Sequence, residues 1–265
     1  MSLYIRISDT DLCFARYEAV AASDFHFEPY RVTPQASLTV NLRSAMQHVD
    51  LLNMPTDRVE VLVEAPVTPV PLAVFQEEDA EALYHACFEK KGPLRVFYDT
   101  VPAVNAVFLF SLPEATCRTL DEAFLGRVRY TTTLASVVHV FAGKGLAATG
   151  GRRLFVYIHD GVSDVVMLEG SRLLMLNTYS VQAPTDVCYY TFNMVRHLGF
   201  EPAGQPIYVA GEAALRDPVV DNMQHYASEV YAINPAADFN RHVVATTEEV
   251  PYDLMCHLLK RSAQH

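Results

Sequence analysis

Apolar and polar residues alternate with a period of two at the start of the chain. "LYIRI", the polar break "SDTD" and "LCFARYEA" predict two strands joined by a tight turn, with a third extended piece near "FHFEPYRV". The period then lengthens: Leu42, Ala45, Met46, Val49 and Leu52 recur every three or four residues, a helical stripe ended by Pro55. "VEVLVEA" and "VPLAVF" read as strands. "EEDAEALYHACFEK" reads as a helix whose acidic first turn and basic last turn suit the helix dipole. "LRVFYDT" and "NAVFLFS" follow as strands, then a helix over "EATCRTLDEAF", the strand "RVRYTT" and a helix over "LASVVHVFA".

"GKGLAATGGRR" has no hydrophobic period and marks the expected boundary between two units, residues 1–146 and 147–265. Beyond it the opening pattern recurs. Three strands are expected between Leu154 and Tyr179. A helix follows in which Val187, Tyr190, Met194 and Leu198 share a face, ended by Gly199. "PIYVAGE" is the next strand, "DPVVDNMQHYA" a helix opened by Pro218, "SEVYAIN" a strand and "YDLMCHLLKR" a closing helix. The order strand-strand-strand-helix-strand-helix-strand-helix thus occurs twice, with extra strands in the first half. Such alternation implies an α/β protein of mixed sheets flanked by helices.

Composition narrows the classes of function. The chain has 265 residues, is 51% hydrophobic and 19% charged, and carries a net charge of −11, the profile of a well-buried globular protein. Neither half is basic, so neither offers a platform for nucleic acid or an anionic membrane surface. Five scattered cysteines without a C-x-x-C, set among apolar residues, suit reduced thiols in the cytoplasm. No histidine or cysteine spacing matches a metal site, and no run approaches the ~20 apolar residues of a membrane span. The first residues, "MSLYIRISDTDLCF", lack the cationic and apolar regions of a signal peptide. No nucleophile elbow, Walker loop or dinucleotide fingerprint occurs. His139 and His159 have candidate carboxylates in the chain, as any histidine would, and read as structural.

The duplicated order, together with the motifs "YIRISDTDLCFA", "FVYIHDGVSDVVML" and "IYVAGEAALRDPVVDNM", resembles the superfamily of actin, sugar kinases and heat-shock chaperones. The second half looks most like bacterial actin-like proteins of cell division and pilus assembly. The whole chain is similar to an uncharacterised Bacteroidetes family, a domain of unknown function assigned an actin-like fold. The resemblance implies two ribonuclease H-like halves around a central cleft. It also implies that each opening hairpin carries an Asp for Mg²⁺ and a Gly/Ser/Thr turn whose N–H and hydroxyl groups hold phosphates.

This sequence departs from that pattern at the ligand-contacting positions. Arg6 stands at the first Asp position and Ser8 at the first Gly, in a turn with Asp9, Thr10 and Asp11 and no glycine. Tyr157 stands at the second Asp position, followed by Asp160, Gly161, Ser163 and Asp164. In the third motif Gly211 is kept and the second glycine is Glu212, whose carboxylate would repel phosphates. All these turn residues also suit ordinary hairpin turns, and Gly211 suits a strand end. The resemblance therefore implies a remodelled or vestigial cleft at Arg6, Ser8, Asp9, Thr10, Tyr157, Asp160, Gly161, Ser163, Gly211 and Glu212. It implies no catalytic residue, no metal and no cofactor. The function expected is binding or scaffolding, through self-association or a protein partner. The alternative is a metal-independent nucleotide or phosphate-ligand binder with a remodelled cleft, extending to weak phosphotransfer on a small phosphorylated ligand, for which Arg6 supplies an anion-pairing fork.

Overall fold

A computed structural model describes residues 1–18, 24–89, 92–144, 151–199, 201, 204 and 206–259. The expected boundary segment falls mostly at 145–150, outside the described residues. Strands β1 (Ser2–Ile7), β2 (Asp11–Tyr17), β3 (Phe25–Arg31), β4 (Val59–Val63) and β8 (Val128–Thr132) form one sheet in the order β3-β2-β1-β4-β8. The first three strands are antiparallel, and β1, β4 and β8 run parallel. Strands β9 (Arg152–His159), β10 (Val162–Glu169), β11 (Arg172–Ser180), β12 (Ile207–Gly211) and β13 (Val230–Ala232) repeat that plan as β11-β10-β9-β12-β13. Again the first three strands are antiparallel and the rest parallel. Two mixed sheets of one topology, flanked by helices, are what the repeated element order expresses.

The extra strands of the first half, β5 (Thr68–Pro71), β6 (Leu94–Val101) and β7 (Ala106–Pro113), form a separate antiparallel sheet β5-β7-β6. The expected strand over "VPLAVF" is only partly a strand, because Pro71 ends β5 and a 3-10 turn follows at Leu72–Val74.

Helices α1 (Leu38–His48), α2 (Asp50–Asn53), α3 (Ala80–Cys87), α4 (Glu114–Ala123) and α5 (Thr133–Gly143) belong to the first half. The predicted stripe from Leu42 to Leu52 is broken at Val49, which is extended. In the rest of the chain come α6 (Pro184–His197), α7 (Ala213–Met223), α8 (Pro235–Asp238), α9 (Val243–Thr246) and α10 (Tyr252–Leu259). Helix α7 corrects the expectation that Pro218 opens it: the helix begins at Ala213 and holds Pro218 inside. Burial of Val219, Val220 and Met223 on the sheet outweighs the amide that proline removes.

Strand β1 is buried on both faces. Leu3, Ile5 and Ile7 pack with Val59, Val61 and Val63 and with Leu42 and Ala45 of α1. On the other face Tyr4 packs with Leu62 and with Val244, Leu254 and Leu258 from the end of the chain. The second sheet buries Leu154, Val156, Val165 and Val209 under α6 and α7. Its other face, including Phe155 and Tyr157, joins the core that holds Phe141 of α5 and Tyr252 of α10. Phe141 stacks on Phe155 with ring centroids 4.6 Å apart. The end of the chain therefore returns to the first sheet. His257 of α10 ties it down, contacting Ser136 of α5 through Nδ1 at 2.9 Å and Glu60 of β4 through Nε2 at 3.0 Å.

Candidate functional site

The two opening hairpins meet face to face, and their turns differ in construction. The β1–β2 turn is capped by Ser8, whose hydroxyl oxygen accepts from the N–H groups of Thr10 (3.3 Å) and Asp11 (3.0 Å). The β9–β10 turn has two residues, Asp160 at φ +43° and Gly161 at φ +74°, between the paired His159 and Val162. Both are left-handed, the geometry of a tight hairpin that twists with its strands. This turn carries the Asp160 carboxylate towards the first hairpin.

Asp160 accepts there from both halves. Arg6 Nη2 donates to its Oδ2 at 2.5 Å, and the hydroxyls of Ser8 and Thr10 each donate to its Oδ1 at 3.0 Å. His159 Nδ1 lies 3.0 Å from Oδ2. Arg6 is 3% exposed and is held from its other side by Asp253 of α10, which is fully buried. Nε donates to both oxygens of Asp253 at 2.8 and 3.0 Å, and Nη2 to Oδ2 at 2.8 Å. Tyr157 donates its hydroxyl to the same carboxylate at 3.0 Å. A further layer is built on Asp164, which His159 Nε2 meets at 2.8 Å and to which Thr178 donates at 2.5 Å.

The electrostatics follow from this packing. Burial works against the charge of Arg6, but Asp253 outweighs it and holds the guanidinium ionised. Burial also works against an imidazolium at His159, yet hydrogen bonds to Asp160 and Asp164 raise it to about 10. Burial would raise Asp160, but His159 and Arg6 pull it well below the usual carboxylate range. The Tyr157 phenol is held neutral by burial and by Asp253. Glu64, at the end of β4, is pushed up to about 7 by burial, against the pull of His159. Two cations thus face three carboxylates, with a fourth titrating near neutrality.

Of the residues singled out from sequence, Arg6, Ser8, Thr10, Tyr157 and Asp160 come together in this cluster. Asp9 is exposed at the tip of its turn. Gly161 supplies backbone geometry. Ser163 is buried without a hydrogen-bond partner for its hydroxyl among the described residues. Gly211 sits at φ +139°, and a Cβ there would lie 2.5 Å from the carbonyl oxygen of Ile158. The close approach of β12 to β9 alone requires that glycine. Glu212 is exposed at the start of α7 and makes no capping bond.

Sequence reasoning missed Asp253, Glu64 and Thr178 and set His159 aside. Asp253 did leave a signal: it is a lone carboxylate in the apolar run "YDLMCHLL", as Arg6 is a lone cation in "LYIRI". Two such residues in buried elements need each other.

No group of three or more His, Cys, Asp or Glu side chains is arranged to hold a metal among the described residues. The buried Ser136–His257–Glu60 contact has the residue types of a hydrolytic triad, but Ser136 is fully buried and lines neither described cavity. A cavity of about 230 Å³ lies between β6, β8, α5 and α10, lined by Glu60, Asp99, Arg129, His139 and His257 among others. No residue of the two hairpins lines it.

The family model for "Protein of unknown function (DUF3822)" matches residues 1–230. The chain belongs to that family. No curated protein matches it. Among solved structures, this DUF3822 chain is similar to a protein from Bacteroides thetaiotaomicron VPI-5482 described as having an actin-like ATPase fold and unknown function. The two share 22% identity over 93% of this chain and 96% of that one, with a TM-score of 0.80. It is also similar to a structure of the PilM-PilN type IV pilus biogenesis complex, at 12% identity, 100% and 99% coverage and a TM-score of 0.59. The fold of the DUF3822 chain is thus actin-like.

Proposed function

We propose that this chain is an actin-like protein without ATPase chemistry that works in the cytoplasm by binding or scaffolding, with residues 1–146 and 147–265 as its two units. One observation carries the reading: the Asp160 carboxylate occupies the space between the hairpins and takes up the Arg6, Ser8 and Thr10 donors. A polyphosphate placed there would have to displace Asp160 and would then face Asp164, Asp253 and Glu64. Phosphoryl transfer relies on positioned Mg²⁺. Arg6 and Tyr157, at the positions where the fold family keeps metal carboxylates, cannot supply it. The similarity to a PilM-PilN assembly complex supports a role in holding proteins together, as an analogy of fold.

A second reading is favoured by the same geometry. Cationic and hydroxyl donors converge on one anion, so a ligand phosphate that displaced Asp160 would inherit Arg6, Ser8 and Thr10 without needing a metal. Titration calorimetry with ATP, ADP and metal-free polyphosphate, run beside an assay of phosphate release, separates the two. The scaffolding reading expects no binding and background turnover. Tight, magnesium-independent binding would favour the second, and magnesium-dependent turnover lost in Asp160→Ala would overturn both.

A further inference from the structure

Away from the two hairpins, ionisable side chains from several elements wall one cavity, the space of about 230 Å³ between β6, β8, α5 and α10. Strand alternation puts them there. On β4, Val59, Val61 and Val63 face the core with α1, so Glu60 faces the other way. Parallel pairing sets Arg129 of β8 beside Glu60 and Thr131 beside Leu62, which brings Arg129 and Thr131 to that same face. Asp99 enters from β6 and accepts from the Thr131 hydroxyl at 2.8 Å and the Thr132 N–H at 2.6 Å.

The buried part of the wall is anionic and the exposed part cationic. Glu60 is 1% exposed and Asp99 8%. Glu60 is held by His257 Nε2 at 3.0 Å and Arg58 Nη2 at 3.0 Å, and both carboxylates line the open space. Arg129 is exposed at the mouth and makes no hydrogen bond or ion pair among the described residues. His139, half-buried on α5, adds an imidazole to the same wall. Two carboxylates buried this deeply cost stability that an apolar wall would not. Polar groups converging on a cavity are the usual mark of a ligand site.

We propose that this cavity binds a small zwitterion of the α-amino-acid class, its ammonium group towards Glu60 and Asp99 and its carboxylate on Arg129. Charge disfavours the simpler occupants. A lone phosphate or carboxylate would meet two buried anions, and a lone amine would be repelled by Arg129 at the mouth. No group of His, Asp and Glu side chains among the described residues is arranged to hold a metal. A zwitterion meets both ends of the wall, since ammonium donates to carboxylates and a guanidinium takes a carboxylate in a bidentate fork. Val101, Pro102 and Ala135 line the same space and suit the ligand's carbon atoms. At the ~30 Å³ that one water occupies in the liquid, the volume takes roughly eight non-hydrogen atoms, the size of a mid-sized amino acid. No hairpin residue lines the cavity, so this site stands or falls apart from the scaffolding reading.

The test is titration calorimetry of the full chain with the common L-amino acids, and with n-butylamine and butyrate as single-charge controls. At least one amino acid should bind, about tenfold or more tighter than either control. Asp99→Asn keeps an acceptor for Thr131 and Thr132 and removes one charge. It should weaken the amino acid and butylamine by about tenfold and leave butyrate no weaker. Arg129→Ala changes an exposed side chain, so it carries the test alone if Asp99→Asn does not fold. It should weaken the amino acid and butyrate by about tenfold, leave butylamine no weaker, and leave the melting point of the ligand-free chain unchanged. Failure of every amino acid to bind at about 10 mM, or binding indifferent to Arg129→Ala, would overturn the site. Butylamine binding as tightly as the best amino acid would overturn the zwitterion.

Discussion

The two opening hairpins occupy equivalent places in equivalent sheets, yet one is built to donate and the other to accept. The first, without glycine, spends the Ser8 oxygen on its own turn amides and points the Ser8 and Thr10 hydroxyls outward, beside the Arg6 guanidinium. The second keeps one glycine and projects Asp160. The donors of the first hairpin are thus met by an anion of this chain's own. The Asp160 carboxylate ties the two hairpins to one another.

Asp253 anchors this contact and should show the largest effect. Asp253→Ala leaves Arg6 without its buried partner and Tyr157 without an acceptor, and should destabilise by about 3–5 kcal/mol in urea unfolding. Asp160→Ala should cost about 2–3 kcal/mol, because Arg6 keeps only Asp253 of its two carboxylates and the Ser8 and Thr10 hydroxyls lose the Asp160 acceptor. Asp9→Ala in the other turn should stay within about 0.5 kcal/mol, since that side chain is exposed. Equal effects at Asp160 and Asp9 would break the comparison. Gly161→Ala should cost about 1–2 kcal/mol, the strain of a side chain at φ +74°.

A pH dependence follows from the same cluster. The folded pKa of Glu64 is raised from 4.5 to about 7, so the folded state binds more protons in that window and stability falls as pH rises through it. His159, raised from 6.5 to about 10, continues the decline: its contribution is full below 6.5 and lost as pH passes 10. Glu64→Gln should flatten the lower window and leave the upper one, read from unfolding midpoints at pH 5, 7 and 9.

Much of the architecture was legible because periodicity and punctuation report local geometry. The strand-turn-strand openings, the stripe of α6 and the polar breaks each reflect which face of an element is buried. Helix α7 was misread because proline is a strong local signal, while the burial that holds Pro218 inside a helix is not local. The site was half legible. Arg6, Ser8, Thr10, Tyr157 and Asp160 stand at motif positions, and a motif fixes position along a hairpin.

The sequence by itself determined the α/β class and the repeated element order, because the period and punctuation of each element are written within a dozen consecutive residues. Only the tertiary structure decided which charges meet at the hairpins. Arg6 lies 247 residues from Asp253 and 154 from Asp160 in the chain. Which buried charges neutralise one another depends on where the final helix returns, and no local pattern encodes that return.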